Sequence, residues 1–103
     1  MCGIAGIVHR NGGPVAAQQV ERMLDPIRHR GPDDRGLYLD GCVGLGHQRL
    51  SIIDIEGGHQ PMGAEGGRVQ IIYNGELYNF RELREDLKKI GVQFRTQSDT
   101  EVA

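Results

Sequence analysis

Glycine and proline interrupt this chain so often that no element can be long. The sixteen glycines and four prolines among 103 residues are spread along the whole chain. They gather at junctions: Gly12-Gly13-Pro14, Gly31-Pro32, Gly57-Gly58 and Gly66-Gly67. Residues of this kind mark turns between short elements. There is no internal repeat and no low-complexity tract. A chain of this length makes one domain at most, with a real but modest core.

Between the junctions, periodicity separates strands from helices. Residues 4–9 are short and apolar and read as a strand. Pro14 suits the first position of a helix, where its missing N–H costs nothing. Val20, Met23, Leu24 and Ile27 follow at i, i+3, i+4 and i+7, one face of that helix. Asp25-Pro26 predicts a kink or a tightening, because proline disfavours helix at the residue before it. Residues 28–35 read as a charged loop, and residues 36–40, 42–48 and 50–55 as three short strands. Residues 56–67 read as loop, and residues 68–73 as a strong strand. Asn74-Gly75 is a hairpin or tight-turn signal. Asn79 caps a second helix, with Glu82 three residues on as a capping-box acid. Leu83, Leu87 and Ile90 form its apolar stripe, and Gly91 ends it. Residues 92–96 read as a strand, and Ser98-Asp99 as the N-cap of a further helix. A helix beginning so near Ala103 predicts that strands of this chain meet neighbours outside it. Unpaired edges of that kind are sticky.

Composition narrows the function. The formal net charge is −2, with no basic stripe of the kind nucleic acid selects. The four histidines, His9, His29, His47 and His59, lack metal-ligand spacing. Cys2 and Cys42 read as reduced thiols in the absence of a secretory signal. No apolar run approaches a membrane span. A cytoplasmic protein that binds neither nucleic acid nor membrane is expected.

Four groups of residues could carry chemistry. Removing Met1 would leave Cys2 with a thiol and a free α-amine on one residue, two groups that titrate within about a unit of each other. Pairing of a nucleophile with its own terminal amine is a known activation route. Arg49, at a strand boundary, suits a bidentate contact with a carboxylate. The Asn74 amide and the Gly75 N–H, side by side, suit an oxyanion. Glu76 and Asp99 could hold an ammonium. Taken singly, each has a plainer reading: an ordinary cysteine, a surface charge, a hairpin turn, a helix cap. Residues 28–33 read singly as a charged loop. Cys42 reads as a small core residue.

The order of these groups is more informative than any one of them. Met1-Cys2-Gly3-Ile4-Ala5-Gly6, Arg28-His29-Arg30-Gly31-Pro32-Asp33, His47-Gln48-Arg49-Leu50-Ser51-Ile52, Asn74-Gly75-Glu76-Leu77-Tyr78-Asn79 and Ser98-Asp99-Thr100-Glu101 occur in that sequence. Together they resemble the glutaminase domain of glutamine-hydrolysing asparagine synthetase. That family belongs to the class II glutamine amidotransferases of the N-terminal-nucleophile hydrolase fold. The resemblance spans nearly the whole chain. It implies an α+β fold, a truncated αββα sandwich, in which residues 1–103 are the N-terminal part of the amidotransferase domain. It implies hydrolysis of L-glutamine by Cys2, with Asn74 and Gly75 binding the oxyanion. It implies Arg49, the Leu50–Ile53 backbone (Leu50, Ser51, Ile52, Ile53), Glu76 and Asp99 as substrate-binding groups. The ATP-dependent synthetase domain, with its ATP and magnesium, is expected outside this chain, and no cofactor or metal within it. A homodimer of the full-length enzyme is left open. Residues 30–33 and 49–52 resemble asparagine synthetase more than glucosamine-phosphate synthase or phosphoribosyl amidotransferase. The N-acetylglutaminylglutamine amidotransferase type shares much of the same pattern.

Overall fold

A computed structural model describes residues 1–52 and 56–103. These residues form an α+β fold with two small antiparallel sheets and three α-helices. The main sheet contains β1 (Gly3–Val8), β2 (Asp34–Asp40) and β3 (Val43–Arg49), in the order β1-β3-β2. In its register Gly3 faces Gln48 and Val8 faces Val43, while Asp34 faces Arg49.

Helix α1 (Ala17–Leu24) lies on one face of this sheet. It approaches so closely because β3 presents glycines there. A Cβ on Gly44 would come within 2.8 Å of Val15 and Val20, and one on Gly46 within 2.8 Å of Val20 and Leu24. Val15, Val20 and Leu24 form the core, with Ala5, Ile7, Ile27 and Leu37 packed against it. Among the described residues the other face carries no helix; Tyr73 and Gln60 cover it at His47 and Gly36, and it is open at the β1 edge. Ile4 is 46 % exposed and Val8 66 %.

The first helix begins later than Pro14 predicts. The Val15 N–H donates to the Gly41 carbonyl at 2.9 Å, which ties residues 14 and 15 to the β2–β3 turn. Ala16 is the N-cap, its N–H accepted by the Gln19 side chain at 2.9 Å. The expected tightening at Asp25-Pro26 is present as a 3₁₀ turn over Asp25–Arg30. Val20 and Leu24 are buried, Ile27 is half-buried, and Met23 is 42 % exposed.

The second sheet is smaller than residues 68–73 suggest. It pairs β4 (Met62–Ala64) with β5 (Val69–Ile71). Strand β4 lies inside the segment read as loop. Its only local mark is the buried Met62 between Pro61 and Gly63. Asn74-Gly75 makes no hairpin, because the chain runs on through a turn into α2 (Phe80–Lys89). Asn79 is the N-cap of α2, but its side chain makes no capping hydrogen bond. Leu83 and Leu87 are half-buried, whereas Ile90 is 78 % exposed and the fully buried residue of this helix is Arg84. Gly91 ends the helix at φ +97°.

Two expected strands are corrected. Residues 50–52 have no strand partner, and the rest of that prediction, 53–55, lies outside the described residues. Residues 92–96 form a loop because their donors are used elsewhere. Val92 N–H reaches Leu87, and the N–H groups of Arg95 and Thr96 both go to the Glu101 carboxylate at 2.8 and 2.7 Å. Burial pushes the Glu101 pKa up, but these donors, the Thr96 hydroxyl and the Arg95 charge outweigh it and hold the carboxyl below its usual range. Helix α3 (Asp99–Val102) starts as expected, with Ser98 Oγ accepting from Thr100 N–H at 3.1 Å. Cys2 and Cys42 are both free thiols. Among the described residues no helix is long and apolar enough to cross a membrane.

Candidate active site

The ends of both sheets and of α3 converge on a cleft of about 250 Å³. Cys2 reaches it because β1 pairs with β3 in a register that sets Gly3 against Gln48. The residue before β1 therefore lies beside the residues that follow β3. Leu50 N–H points at Cys2 Sγ, 3.3 Å away, and the sulfur lies 3.7 Å from the Leu50 carbonyl. From the other side, Arg30 Nε donates to the Cys2 carbonyl at 3.0 Å. Met1 is 74 % exposed and lies at the same cleft.

The segment read as a charged loop clasps the end of β3. Gly31 fits against the backbone of Gln48 and Arg49, where a Cβ would come within 2.5 Å of three backbone atoms. Gln48 Nε2 donates to the Gly31 carbonyl at 2.6 Å. Asp33 N–H donates to the Arg49 carbonyl at 3.0 Å, and the Asp33 carboxylate accepts from Ser51 N–H at 2.8 Å. Arg49 is thereby fixed at the last position of β3, only 5 % exposed, with its side chain in the cleft wall.

The opposite wall is the segment that follows β5. Tyr73 is held at both backbone groups. Its N–H donates to Gln60 Oε1 at 2.6 Å, and its carbonyl accepts from His47 Nε2 at 3.1 Å. This bond requires the proton on Nε2. His47 is fully buried. Burial pulls its pKa below the ordinary 6.5, the Tyr73 carbonyl raises it, and the Arg49 charge lowers it further. Beyond Tyr73, Asn74, Gly75 and Glu76 line the cleft. Gly75 has no room for a side chain, since a Cβ would lie 2.9 Å from the Tyr73 ring. Leu77 N–H donates to Asp99 Oδ2 at 2.9 Å.

Asp99 arrives from behind through Arg84. The guanidinium of Arg84 donates to the Thr96 and Ser98 carbonyls at 2.8 and 3.1 Å and stacks over Phe94 at 4.7 Å. This fixes the start of α3, and Asp99 is 6 % exposed at the cleft.

The cleft thus brings together Cys2, Arg49, Leu50, Ile52, Asn74, Gly75, Glu76 and Asp99. Ser51 is not among its lining residues, its N–H being turned to Asp33. Ile53 lies outside the described residues. Gln60 also lines the cleft, and no sequence signal marked it; Tyr78, Ser98 and Thr100, which line it too, lie within the motifs but had been given no part in the site. Among the described residues no three His, Cys, Asp or Glu side chains converge to hold a metal ion.

A thiol, one cation, two carboxylates and an amide beside a glycine N–H form an arrangement that suits an amino acid bearing an amide. Comparison with known proteins supplies the family. The sequence matches the glutamine amidotransferase domain over residues 1–103. The chain belongs to the glutamine amidotransferase family. It is 47 % identical over 105 residues to asparagine synthetase [glutamine-hydrolyzing] 1 of Bacillus subtilis, covering 99 % of this chain and 17 % of that protein. It is 43 % identical over 103 residues to asparagine synthetase [glutamine-hydrolyzing] 1 of Arabidopsis thaliana, again 99 % of this chain and 17 % of the relative. A putative asparagine synthetase [glutamine-hydrolyzing] 2 of Methanocaldococcus jannaschii is 40 % identical over 121 residues, 99 % of this chain and 23 % of its own length. The amidotransferase chain therefore spans between 17 % and 23 % of these curated relatives.

Proposed function

We propose that this amidotransferase chain carries the glutamine-hydrolysing chemistry of a glutamine-dependent asparagine synthetase. The observation that carries the proposal is the single cleft that holds Cys2, Arg49, Asn74, Gly75, Glu76 and Asp99. Removal of the exposed Met1 would free the Cys2 amine at the cleft. The thiolate attacks the side-chain amide carbon of L-glutamine, and the amine moves the proton. The Asn74 amide and Gly75 N–H stabilise the oxyanion, a contribution of about 3 kcal/mol for one such donor. Ammonia leaves with that proton, and water releases glutamate from the thioester. Arg49 holds the substrate carboxylate through charge-assisted bonds, while Glu76 and Asp99 receive its ammonium. The backbone of residues 50–53 lines the same pocket in this reading.

In the full-length protein the ammonia would serve ATP-dependent conversion of aspartate to asparagine. ATP and magnesium belong to the synthetase domain of that reading, and no step drawn here runs through them. Residues 1–103 would be the N-terminal part of the amidotransferase domain. The finer fold assignment, the αββα sandwich, is supported by the sheet face opposite α1. Its Ile4 and Val8 are exposed as a layer awaiting a partner would be. A reducing, cytoplasmic setting suits a thiol nucleophile.

The test is glutamate release by the full-length protein. Cys2→Ala is expected to abolish it while leaving the melting temperature close to that of the parent. Retention of glutaminase activity by Cys2→Ala would refute the nucleophile assignment.

A further inference from the structure

The two halves of the proposed site are joined by a side chain that none of the roles above uses. Gln60 is 5 % exposed and lines the cleft. Its Oε1 accepts the Tyr73 N–H at 2.6 Å, and its Nε2 donates to Thr100 Oγ1 at 3.1 Å. Tyr73 immediately precedes Asn74 and Gly75, and Thr100 immediately follows Asp99. One amide group therefore bridges the segment of the oxyanion donors and the helix that carries the ammonium acceptor. Asp99 makes a second bridge between the same segments through Leu77 N–H.

An amide suits this position because it offers an acceptor at one atom and a donor at the other. A carboxylate would keep the acceptor and lose the donor, and an alkyl side chain would lose both. The backbone is fixed as well. A Cβ on Gly36 would collide with the Gln60 carbonyl oxygen, so β2 packs directly on this residue. Ser98 Oγ in turn holds Thr100 N–H, which steadies the hydroxyl-bearing residue.

The geometry points to Gln60 as a positioning residue for glutamine hydrolysis, which fixes Asn74 and Gly75 relative to Asp99 through Thr100. This rests on the glutaminase reading. Gln60 acts through these neighbours and touches no reacting atom. Misplaced oxyanion donors reduce transition-state stabilisation more than ground-state binding, so the loss falls chiefly on kcat.

The experiment uses the full-length protein and four variants: Gln60→Leu, Thr100→Val, Thr100→Ser and the double variant Gln60→Leu/Thr100→Val. Gln60→Leu is expected to lower kcat for glutamate release about tenfold or more, with KM changed less than about threefold. Thr100→Val should move kcat in the same direction, and Thr100→Ser, which keeps the hydroxyl, should restore it. The double variant should be no worse than Gln60→Leu, because both substitutions break one bridge. Hydrogen exchange at the Tyr73 amide should accelerate in Gln60→Leu whether or not glutamine is present. Should Gln60→Leu fail to fold, the contrast between Thr100→Val and Thr100→Ser decides. Unchanged kcat in Thr100→Val, or in folded Gln60→Leu, overturns the positioning role while the glutaminase reading stands. A parent protein that releases no glutamate overturns both.

Discussion

Single residues in this chain acquire meaning from what the fold sets beside them. Cys2 is an unremarkable second residue until the β1–β3 register puts its sulfur against Leu50 N–H. Arg49 is a strand-end charge until the Gly31-Pro32-Asp33 clasp turns its side chain into the cleft. These positions were legible as candidates because their residue types suit the proposed chemistry, and both line the cleft. Gln60 was not legible, since an isolated glutamine in a loop has no signature and its partners lie 13 and 40 residues away. Arg30 stood in a recognisable motif, but its contact with the Cys2 carbonyl was not legible. Two predictions belong here. Arg49→Ala should raise KM for glutamine about tenfold to a hundredfold, since a charge-assisted bond contributes about 1.5–3 kcal/mol. An unchanged KM would place the substrate carboxylate elsewhere. The second concerns His47, whose buried ring has a pKa below 6.5. As pH falls below 6.5 the unfolded chain takes up a proton that the folded state resists, so stability present above 6.5 is lost as pH falls through the folded value. Melting temperatures measured on either side of 6.5 should converge in His47→Gln relative to the parent.

Elements were legible where periodicity and special residues agreed. The tightening at Asp25-Pro26 follows from local rules and is present, and of the predicted stripe Val20 and Leu24 are buried while Met23 is exposed and Ile27 falls in the 3₁₀ turn. Misreadings arose where tertiary contacts took over backbone donors. Pro14 opens no helix because Val15 N–H is bound to Gly41, and residues 92–96 pair with no strand because Glu101 takes two of their N–H groups. Strand β4 has three residues, too few for any alternation to show. The glycines of β3 mattered for a reason that composition could not reveal, the closeness of α1. Gly46→Val should therefore destabilise the domain by about 1–3 kcal/mol through overpacking against Val20 and Leu24. Chemical denaturation checks it, and a loss below about 0.5 kcal/mol would mean that α1 can move aside.

The molecule is less compact than is usual for its length. Its radius of gyration is 14.6 Å and its thinnest extent is 18 Å, whereas a compact chain of this size has a radius near about 13 Å. Ile4 and Val8, the exposed apolar side chains of the face opposite α1, are the whole-molecule counterpart of the proposed second layer. Lysine at either position should change the stability of the isolated 103-residue chain by less than about 0.5 kcal/mol. In the full-length protein the same substitutions should be destabilising by several kcal/mol, because a charge would be buried without a partner. Equal tolerance in both settings would argue against the sandwich.

The most direct test of the account joins intact mass to product. Full-length protein is purified, its N-terminus weighed, and glutamate measured after incubation with glutamine. The account predicts loss of one methionine together with glutamate release that disappears in Cys2→Ala. Protein that has lost Met1 and is fully folded, yet releases no glutamate, would contradict it.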